Sequence, residues 1–279
     1  MIVALMMVLV VAASLIFHFV SPWRPTPIAS NWGVIDHTMA LTFWVTGIGF
    51  VAVILFMAYC LYRFRHQAGR RSTYEPENRK LELSLGAITT IAVIALLAPG
   101  LSVWAQFITP PAGALEVEAV GAQWNWSFRL PGADNKFGAT DVHFIAGSNA
   151  LGISPADPRG RDDLVVTNGE LHVPLNRPVK VLLRSIDVLH DFYVPEIRAK
   201  MDLVPGMETY FWFTPTRIGQ FEILCVAYCG TGHPQMRGAL FVDSDSDYHA
   251  WLGAQKTFAA TRKSEAGEGR GEAIRAPGQ

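Results

Sequence analysis

Residues 39–62 read MALTFWVTGIGFVAVILFMAYCLY, and these 24 residues contain no formally charged side chain. A second charge-free run, of 27 residues, extends from Leu83 to Thr109. A helix needs about 20 apolar residues to cross the hydrocarbon core of a bilayer, and neither run alternates as a barrel strand would. We therefore predict transmembrane helices over residues 39–62 and 83–109, and hence a membrane protein.

The N-terminal residues 1–23 form a third apolar run with two interpretations. A secretory signal needs a basic N-terminal region, which this run lacks, although Val11-Ala12-Ala13 would suit a cleavage site. The alternative is an extra transmembrane helix, which we favour over a cleaved signal peptide. The sequence leaves both interpretations open.

The loop between the second and third runs, residues 63–82, indicates the orientation. Up to Lys80 it holds six basic and two acidic residues, a net charge of +4. Because basic loops stay on the cytoplasmic side, we place this loop in the cytoplasm and the chain after about Thr109 on the outer face.

Composition narrows the class of protein further. Only 17% of the 279 residues are charged, against roughly 25% in an ordinary soluble domain. The net charge of −1 argues against nucleic acid as a partner, because phosphate binding needs a basic face. Three cysteines are too few for a disulfide framework.

The outer portion, residues 110–255, has the pattern of an all-β domain. Leu115–Ala119 alternates with period two, which predicts a strand with one buried face. Residues 132–163 are rich in Gly, Asp, Asn and Pro, so we expect a long surface excursion, and we expect residues 256–279 to form a disordered tail. Short strands separated by turn residues favour a sandwich or barrel, and the further predicted strands are Val179–Arg184, Tyr210–Phe213, Phe221–Leu224 and Ala239–Val242.

Residues 225–236 read CVAYCGTGHPQM and concentrate the chemistry. Thiolate, thioether and imidazole ligands together select copper over hard cations. The second thiol indicates two thiolates bridging two copper ions, a pair that could share one electron with little change in geometry. A disulfide or a structural zinc site would use the same cysteines. Met236 favours copper, because it is a poor zinc ligand and irrelevant to a disulfide.

A second imidazole is expected from His190, in the stretch DVLHDF of residues 187–192. We predict that His190 closes a strand, near the turn at Pro195, where a loop could present it to the cysteines. His143, His172 and His249 are interpreted as surface residues or satisfied core residues.

Taken together, the chain resembles subunit II of haem–copper cytochrome c oxidase. The resemblance extends from about Asn31 to Phe258 and rests on three motifs, which are Asp187–His190, the run from Lys200 to Gly206 and the Cys-x3-Cys-Gly-x2-His-x2-Met loop. It implies a membrane-anchored all-β fold. In such a fold two transmembrane helices, or three if residues 1–23 also span, precede an outer cupredoxin-like Greek-key β-sandwich over residues 110–255.

The resemblance also implies a ligand set for a binuclear CuA centre with two copper ions. Its ligands are Cys225 and Cys229 as bridges, His190 and His233 as one imidazole for each copper, Met236 as a weak ligand, and the backbone carbonyl of Ala227. The family usually has Glu at the position of Ala227, where its carboxylate helps to hold a magnesium ion against subunit I. Alanine keeps the carbonyl and lacks that carboxylate.

Two further roles follow from the resemblance alone. In GAQWNWSF, residues 121–128, Trp124 stands where the family accepts electrons from cytochrome c, although Trp on a strand is usually core, as we expect for Trp126. Glu82 stands at the mouth of a proton path into subunit I, although an interfacial charge at a helix end has the same pattern.

The resemblance implies an oxidoreductase subunit in a bacterial inner membrane, multi-pass, with its copper domain on the periplasmic face. It would accept electrons from cytochrome c and pass them to haem in subunit I, where oxygen is reduced to water and protons are pumped. Haem is expected only in the partner subunit. The alternatives are the CuA subunit of a related reductase, such as a nitric oxide reductase or a quinol-linked oxidase, and a membrane-tethered copper carrier.

Overall fold

The structure is a computed structural model that describes residues 1–21, 26–71, 74, 76–147 and 149–263. The chain divides into two compact units, which are described separately. The first contains the N-terminal helices up to Trp104, and the second contains Thr26–Trp32 and the chain from Ala105 onward.

The helical unit consists of α1 (Ile2–Val20), α2 (Gly33–Arg63) and α3 (Arg79–Phe107). Among the described residues, these three helices are long and apolar enough to cross a membrane. The predicted span 39–62 lies inside α2, whereas the predicted span 83–109 extends two residues past the end of α3 at Phe107. Both helices also begin before the predicted spans and include charged residues there, because a helix continues through the interface once its hydrocarbon segment is formed. α3 therefore begins within the predicted 63–82 loop, where the Leu81 N–H donates to Asn78 Oδ1 over 3.1 Å.

The N-terminal run forms one continuous helix that packs against α2. Ala4 and Val11 are buried on α1, and Ala58 is the buried residue of α2. The small side chains of Ala4 and Ala58 let two helix backbones approach closely, as membrane helix pairs commonly do.

The second unit is a sandwich of two five-stranded sheets, with strand orders β3-β2-β1-β5-β8 and β4-β10-β9-β6-β7. The β1–β5 and β4–β10 pairs are parallel, and the other strand pairs are antiparallel. The strands are β1 (Leu115–Ala122), β2 (Asn125–Leu130), β3 (Leu164–Val166), β4 (Glu170–Pro174), β5 (Val179–Ser185), β6 (His190–Val194), β7 (Ala199–Leu203), β8 (Thr209–Phe213), β9 (Gly219–Cys225) and β10 (Arg237–Asp243).

The predicted fold class, a membrane-anchored all-β protein, is confirmed. All five strands predicted from periodicity lie within β1, β5, β8, β9 and β10. The other strands are short and were not predicted. In β6 the polar residues His190 and Asp191 are both buried, so this strand does not show the alternation of a half-buried strand.

Residues 132–163 were predicted as a surface excursion, but some of them are buried, and they cover a face of β1 that was expected to be exposed. β1 was expected to have one buried face, yet its residues 117–121 are all buried. The reason is that Leu151 and Ile153 of the excursion cluster with Val120 on the outer face of this strand. The excursion therefore contributes a second, smaller core.

A buried ionic network also ties the excursion to the sheet. Arg129 Nε donates to Glu118 Oε2 over 2.8 Å, and Arg129 Nη1 donates to Asp163 Oδ2 over 3.1 Å. All three side chains are at most 4% exposed. Charges at this depth are tolerated only when paired, so losing one partner would leave its neighbour uncompensated.

The tail predicted for residues 256–279 is wrong in its first part. Residues 258–263 are helical, and Phe258 is buried in the same cluster as Leu151 and Ile153. The Phe258 N–H donates to the Asp163 carbonyl over 2.8 Å. The Phe258 ring packs on an apolar surface of the domain, and this contact is enough to order the segment. Residues 264–279 lie outside the described residues.

The segment Thr26–Trp32 belongs to the sandwich unit and packs along its edge. Trp32 is 2% exposed, and its Nε1 donates to the Trp212 carbonyl over 2.8 Å. The Ala29 N–H donates to the Glu196 carbonyl over 2.7 Å, and the Trp32 ring also lies against Phe107. Backbone hydrogen bonds and a buried ring therefore fasten this segment to the domain.

Candidate metal centre

Most of the expected donors come from one loop between two hydrogen-bonded strands. β9 ends at Cys225 and β10 begins at Arg237, and the Cys225 N–H donates to the Met236 carbonyl over 3.3 Å across the base of the loop. Inside the loop Gly230 has φ +119°, a conformation that residues with a side chain rarely adopt. The strand pair thus fixes both ends of a short loop that presents the cysteines, His233 and Met236 together.

His190 reaches this loop from the neighbouring strand. β6 pairs with β9, with Phe192 opposite Cys225. His190 is the first residue of β6, so the prediction that it closes a strand is wrong, although its place beside the loop is as expected. Its ring is fully buried against Gly121, where an added Cβ would lie 3.0 Å from His190 Cδ2.

The donor atoms converge around the two sulfurs. Cys225 Sγ and Cys229 Sγ are 3.7 Å apart. His190 Nδ1 lies 3.9 Å from Cys225 Sγ, and His233 Nδ1 lies 3.5 Å from Cys229 Sγ. Met236 Sδ lies 3.9 Å from Cys229 Sγ. The Ala227 carbonyl oxygen lies 3.2 Å from Cys225 Sγ, so every expected donor group lies within 4 Å of a cysteine sulfur.

The arrangement is nearly symmetric, with one imidazole beside each sulfur, and the sulfur donors and His190 are shielded from water, whereas His233 is half-buried. Cys225 is 7% exposed, Cys229 is 4% exposed and Met236 is 1% exposed. Burial, followed by the adjacent Cys225 thiol, raises the pKa of Cys229 to about 11. Without a metal this thiol keeps its proton at neutral pH, and a metal ion must displace that proton to bind.

Asp187 orients the His190 ring. His190 Nε2 lies 2.8 Å from Asp187 Oδ1, so the N–H on Nε2 donates a hydrogen bond to the carboxylate. Nδ1 then carries no proton, and its lone pair faces the sulfurs and is available to a metal ion. Burial pushes the pKa of Asp187 upward. Hydrogen bonds from the Gln123 N–H, His190 and the Val188 N–H outweigh burial and hold that pKa below its ordinary value. The carboxylate therefore stays charged and keeps the imidazole in one tautomer.

The chemistry of the donor set fits copper. The three cysteines, all within described segments, are free thiols. A structural zinc site would be complete with thiolate and imidazole ligands. Here a thioether also lies buried within the same cluster, and thioether donors favour copper. The cluster thus offers ligands for two metal ions, which would share both thiolates and would each have one imidazole.

Trp124 lies at the surface beside this cluster. It is 39% exposed, and its Nε1 donates to the Cys229 carbonyl over 3.2 Å. Its ring packs on Gly232, where an added Cβ would lie 2.3 Å from Trp124 Cδ2. Trp126 is fully buried and contacts Phe192 edge-on, as expected of a core residue.

The remaining predicted residues lie elsewhere. Glu82 is exposed in the first turn of α3 and belongs to the helical unit, so it is not part of the cluster. His172 is a satisfied core residue, stacked between Phe241 and Trp251 and paired with Asp243 Oδ2 at 2.6 Å.

Sequence reasoning quoted Asp187 and Gln123 within motifs but assigned neither a role. Asp187 precedes a candidate ligand histidine by three residues in a loop, a spacing that could have indicated a carboxylate partner for the imidazole. Gln123 donates from Nε2 to the Cys229 carbonyl over 2.8 Å. No local pattern could reveal that contact, because it joins residues from opposite sheets.

The chain is similar to several known proteins. The family described as cytochrome C oxidase subunit II, periplasmic domain, matches residues 115–242. The chain is 59% identical over 259 residues to an alternative cytochrome c oxidase subunit 2 of Bradyrhizobium diazoefficiens, covering 93% of this chain and 94% of that protein. It is 28% identical over 214 residues to cytochrome c oxidase subunit 2 of Cereibacter sphaeroides, covering 72% and 69% respectively.

A solved structure is also similar in part. The periplasmic domain of subunit II of cytochrome oxidase (CoxB) of Bradyrhizobium japonicum is 26% identical. The match covers 56% of this chain and 99% of that domain, with a TM-score of 0.39.

Proposed function

Because the chain belongs to the cytochrome c oxidase subunit II family, whose role is electron transfer, we propose that it holds a binuclear CuA centre and accepts electrons from cytochrome c. The observation that carries this proposal is the paired arrangement of two buried sulfurs with one imidazole beside each. The ligands would be those named from the sequence, which are Cys225, Cys229, His190, His233, Met236 and the Ala227 carbonyl.

The bound copper pair would carry one exchangeable electron shared between its two ions. The protein's part is to keep that site rigid and dry. Asp187 fixes the His190 ring, the base of the loop is closed by the Cys225–Met236 backbone hydrogen bond, and Met236 is buried. Donors that are held before the electron arrives need little rearrangement afterwards, which favours fast transfer.

Trp124 is proposed as the point at which electrons arrive from cytochrome c. Its ring is partly exposed and hydrogen-bonded directly to a ligand residue, so it connects the surface with the metal centre. From Ile108 to Gln279 the sequence has 16 basic and 20 acidic residues, an excess of acidic charge that suits a basic partner. Such complementarity raises the association rate mainly at low salt.

Subunit I and the other oxidase subunits are the proposed partners, with haem and the oxygen-reducing site on subunit I. Glu82 is proposed as the mouth of a proton path into that subunit, because its exposed carboxylate stands in the first turn of α3. The chain would thus contribute electron transfer, and not oxygen chemistry, to an enzyme that couples oxygen reduction to proton pumping.

The proposed location is the bacterial inner membrane, with the β-sandwich on the periplasmic face. The family described for residues 115–242 is a periplasmic domain, and the basic 63–82 loop favours the cytoplasm. α1 is proposed as a retained third spanning helix, since Ala4 and Val11 are buried against α2. Intact-mass measurement of the membrane-extracted chain would show whether residues 1–23 are removed.

The decisive test is the metal content of the full chain purified in detergent. We expect two coppers per chain by elemental analysis and an electron paramagnetic resonance signal of one unpaired electron delocalised over both. One copper per chain, or zinc in the native protein, would contradict the CuA assignment. Identifying the haems and the gas consumed by the co-purified complex would separate an oxidase from a nitric oxide reductase or a copper carrier.

A further inference from the structure

We infer that Gln123 is a positioning residue that ties the two halves of the metal centre together. Its side-chain Nε2 donates to the carbonyl of Cys229 over 2.8 Å. Its backbone N–H donates to Asp187 Oδ2 over 2.7 Å, and Asp187 Oδ1 in turn holds His190. One residue thereby contacts the cysteine loop directly and the separate histidine through one carboxylate. The inference rests on the copper function proposed above.

The position of Gln123 gives these contacts their effect. Gln123 lies in the turn between β1 and β2, which belong to one sheet, whereas His190 and the Cys229 loop are carried by the other sheet. The metal ligands therefore do not depend on their own sheet alone. The turn of the opposite sheet closes over them and fixes the distance between the loop and the histidine.

The cysteine loop rests on this turn at close packing distance. An added Cβ at Gly230 would lie 3.0 Å from Gln123 Nε2 and 3.1 Å from Trp124 Cζ2. The Cys229 carbonyl accepts a second hydrogen bond, from Trp124 Nε1 over 3.2 Å. Two donors on the carbonyl of this buried cysteine restrain its peptide plane, and with it the backbone from which Sγ projects.

Gln123 itself is exposed, so its role is not that of a core residue. Removing the Gln123 amide leaves the Cys229 carbonyl with one donor, Trp124 Nε1, at the longer distance of 3.2 Å. One hydrogen bond is therefore lost. The expected consequence is a looser cysteine loop within an otherwise intact domain. A change in the electronic signature of the site should therefore appear without a loss of fold.

The test compares Gln123→Met with Gln255→Met in the full chain in detergent. Methionine keeps the length of glutamine and removes the N–H donor. Gln255 Nε2 donates to the Trp251 carbonyl over 3.0 Å at the end of a helix, outside the loop of residues 225–236. Gln255→Met therefore loses an equivalent hydrogen bond. For copper-loaded Gln123→Met we expect two coppers per chain, altered copper hyperfine splittings and about fivefold faster copper loss to a chelator. Gln255→Met should match the wild type in all three measurements.

A copper-free measurement separates this inference from the proposed function. In the metal-free chain, alkylation of Cys225 and Cys229, followed by peptide-resolved mass spectrometry, should be about fivefold faster in Gln123→Met than in Gln255→Met. Unchanged alkylation would overturn the positioning role whatever metal the protein binds. Faster alkylation of Gln123→Met, together with a wild-type chain that fails to bind two coppers, would support the positioning role and reject the CuA centre.

Discussion

Ala227 shows at the level of one residue how the side chain at a proposed ligand position can change while the backbone donor is kept. Its carbonyl oxygen lies 3.2 Å from Cys225 Sγ, and a carbonyl is available whatever the side chain. The glutamate that the family usually has at this position would add a carboxylate, which alanine cannot supply. The backbone carbonyl therefore remains available to the proposed copper site, and only the carboxylate beyond that site is missing.

The donors differ in what they contribute, and substitution should separate them. Cys225→Ser and Cys229→Ser should each abolish the binuclear spectrum, because a hydroxyl is a poor bridge for a soft metal. Met236→Leu should leave two coppers bound and shift the reduction potential, since an axial thioether tunes the metal more than it holds it. Elemental analysis and redox titration measure both effects. Equal copper loss in all three variants would contradict these roles.

The two neighbouring tryptophans should respond differently to truncation. Trp124→Ala should slow electron transfer from bound cytochrome c, because the partly exposed ring links the surface with Cys229, while leaving cytochrome affinity nearly unchanged. Stopped-flow reduction at low and high salt measures the transfer step. Trp124→Phe is the matched control that keeps a ring on Gly232, and it should transfer faster than Trp124→Ala. A wild-type rate in Trp124→Ala would place electron arrival elsewhere.

Trp126→Ala should instead destabilise the domain. The Trp126 ring is fully buried against Phe192, and removing a ring of this size from a core costs about 3–5 kcal/mol in the free energy of unfolding. Urea unfolding followed by tryptophan fluorescence measures this cost, with the exposed Tyr228→Ala as a control near zero. A cost below about 1 kcal/mol for Trp126→Ala would show that the site collapses around the gap.

At the level of elements, the excursion explains why the burial of β1 could not be predicted from its alternating sequence. Glu118 alternates with apolar neighbours as a solvent-facing residue would, yet it is buried beneath the excursion beside Arg129. The excursion covers that face with Leu151 and Ile153 and contributes Asp163 to the ionic network. Low apolar content in a segment thus did not prevent a few residues from completing a core.

Asp163 should make the stability of this element depend on pH. Burial raises the pKa of Asp163 to about 6, outweighing the Gly138 N–H and the Arg129 charge, while an unfolded carboxyl keeps its ordinary value of 3.8. Between these values the folded state binds more protons. The contribution of Asp163 is therefore fully present below about pH 4 and is lost as the pH rises through about 6, by at most about 3 kcal/mol.

Urea unfolding of wild type and Asp163→Asn at pH 4 and pH 7 measures this contribution. The wild-type excess in free energy of unfolding should shrink at the higher pH, because asparagine does not titrate. Asp191, whose pKa burial also raises to about 6, is present in both proteins, so the comparison removes its effect. A difference between the two proteins that is constant with pH would show that folding does not shift the pKa of Asp163, and a wild-type excess that grows with pH would show that the folded state lowers it.

At the level of the whole molecule, the chain combines a helical membrane unit with a β-sandwich that carries its own complete donor cluster. All of the proposed copper donors lie in the second unit, on β6, at the end of β9 and in the β9–β10 loop. The metal should therefore stabilise the sandwich by binding its folded state alone.

Copper removal should lower the melting temperature of the chain in detergent. A ligand at 100 times its Kd stabilises the folded state by about 2.7 kcal/mol, which corresponds to at least about 5 °C for a domain of this size. Differential scanning calorimetry before and after treatment with a copper chelator measures the shift. The Cys225→Ser, Cys229→Ser double variant should show no shift, and the same shift in that variant would place the stabilising metal outside this site.

The sequence by itself determined the membrane anchors, the all-β class and which side chains are available as candidate metal donors. Charge-free length decides whether a segment can span a bilayer, and the chemistry of Cys, His and Met side chains decides the class of metal; both are local properties. It could not determine which residues hold those donors in place. Gln123 and Gly121 meet the site only after two sheets stack, and Phe258 orders the first part of the predicted tail only because a distant cluster accepts its ring. Contacts between residues far apart in the chain depend on packing, and packing is decided by the tertiary structure.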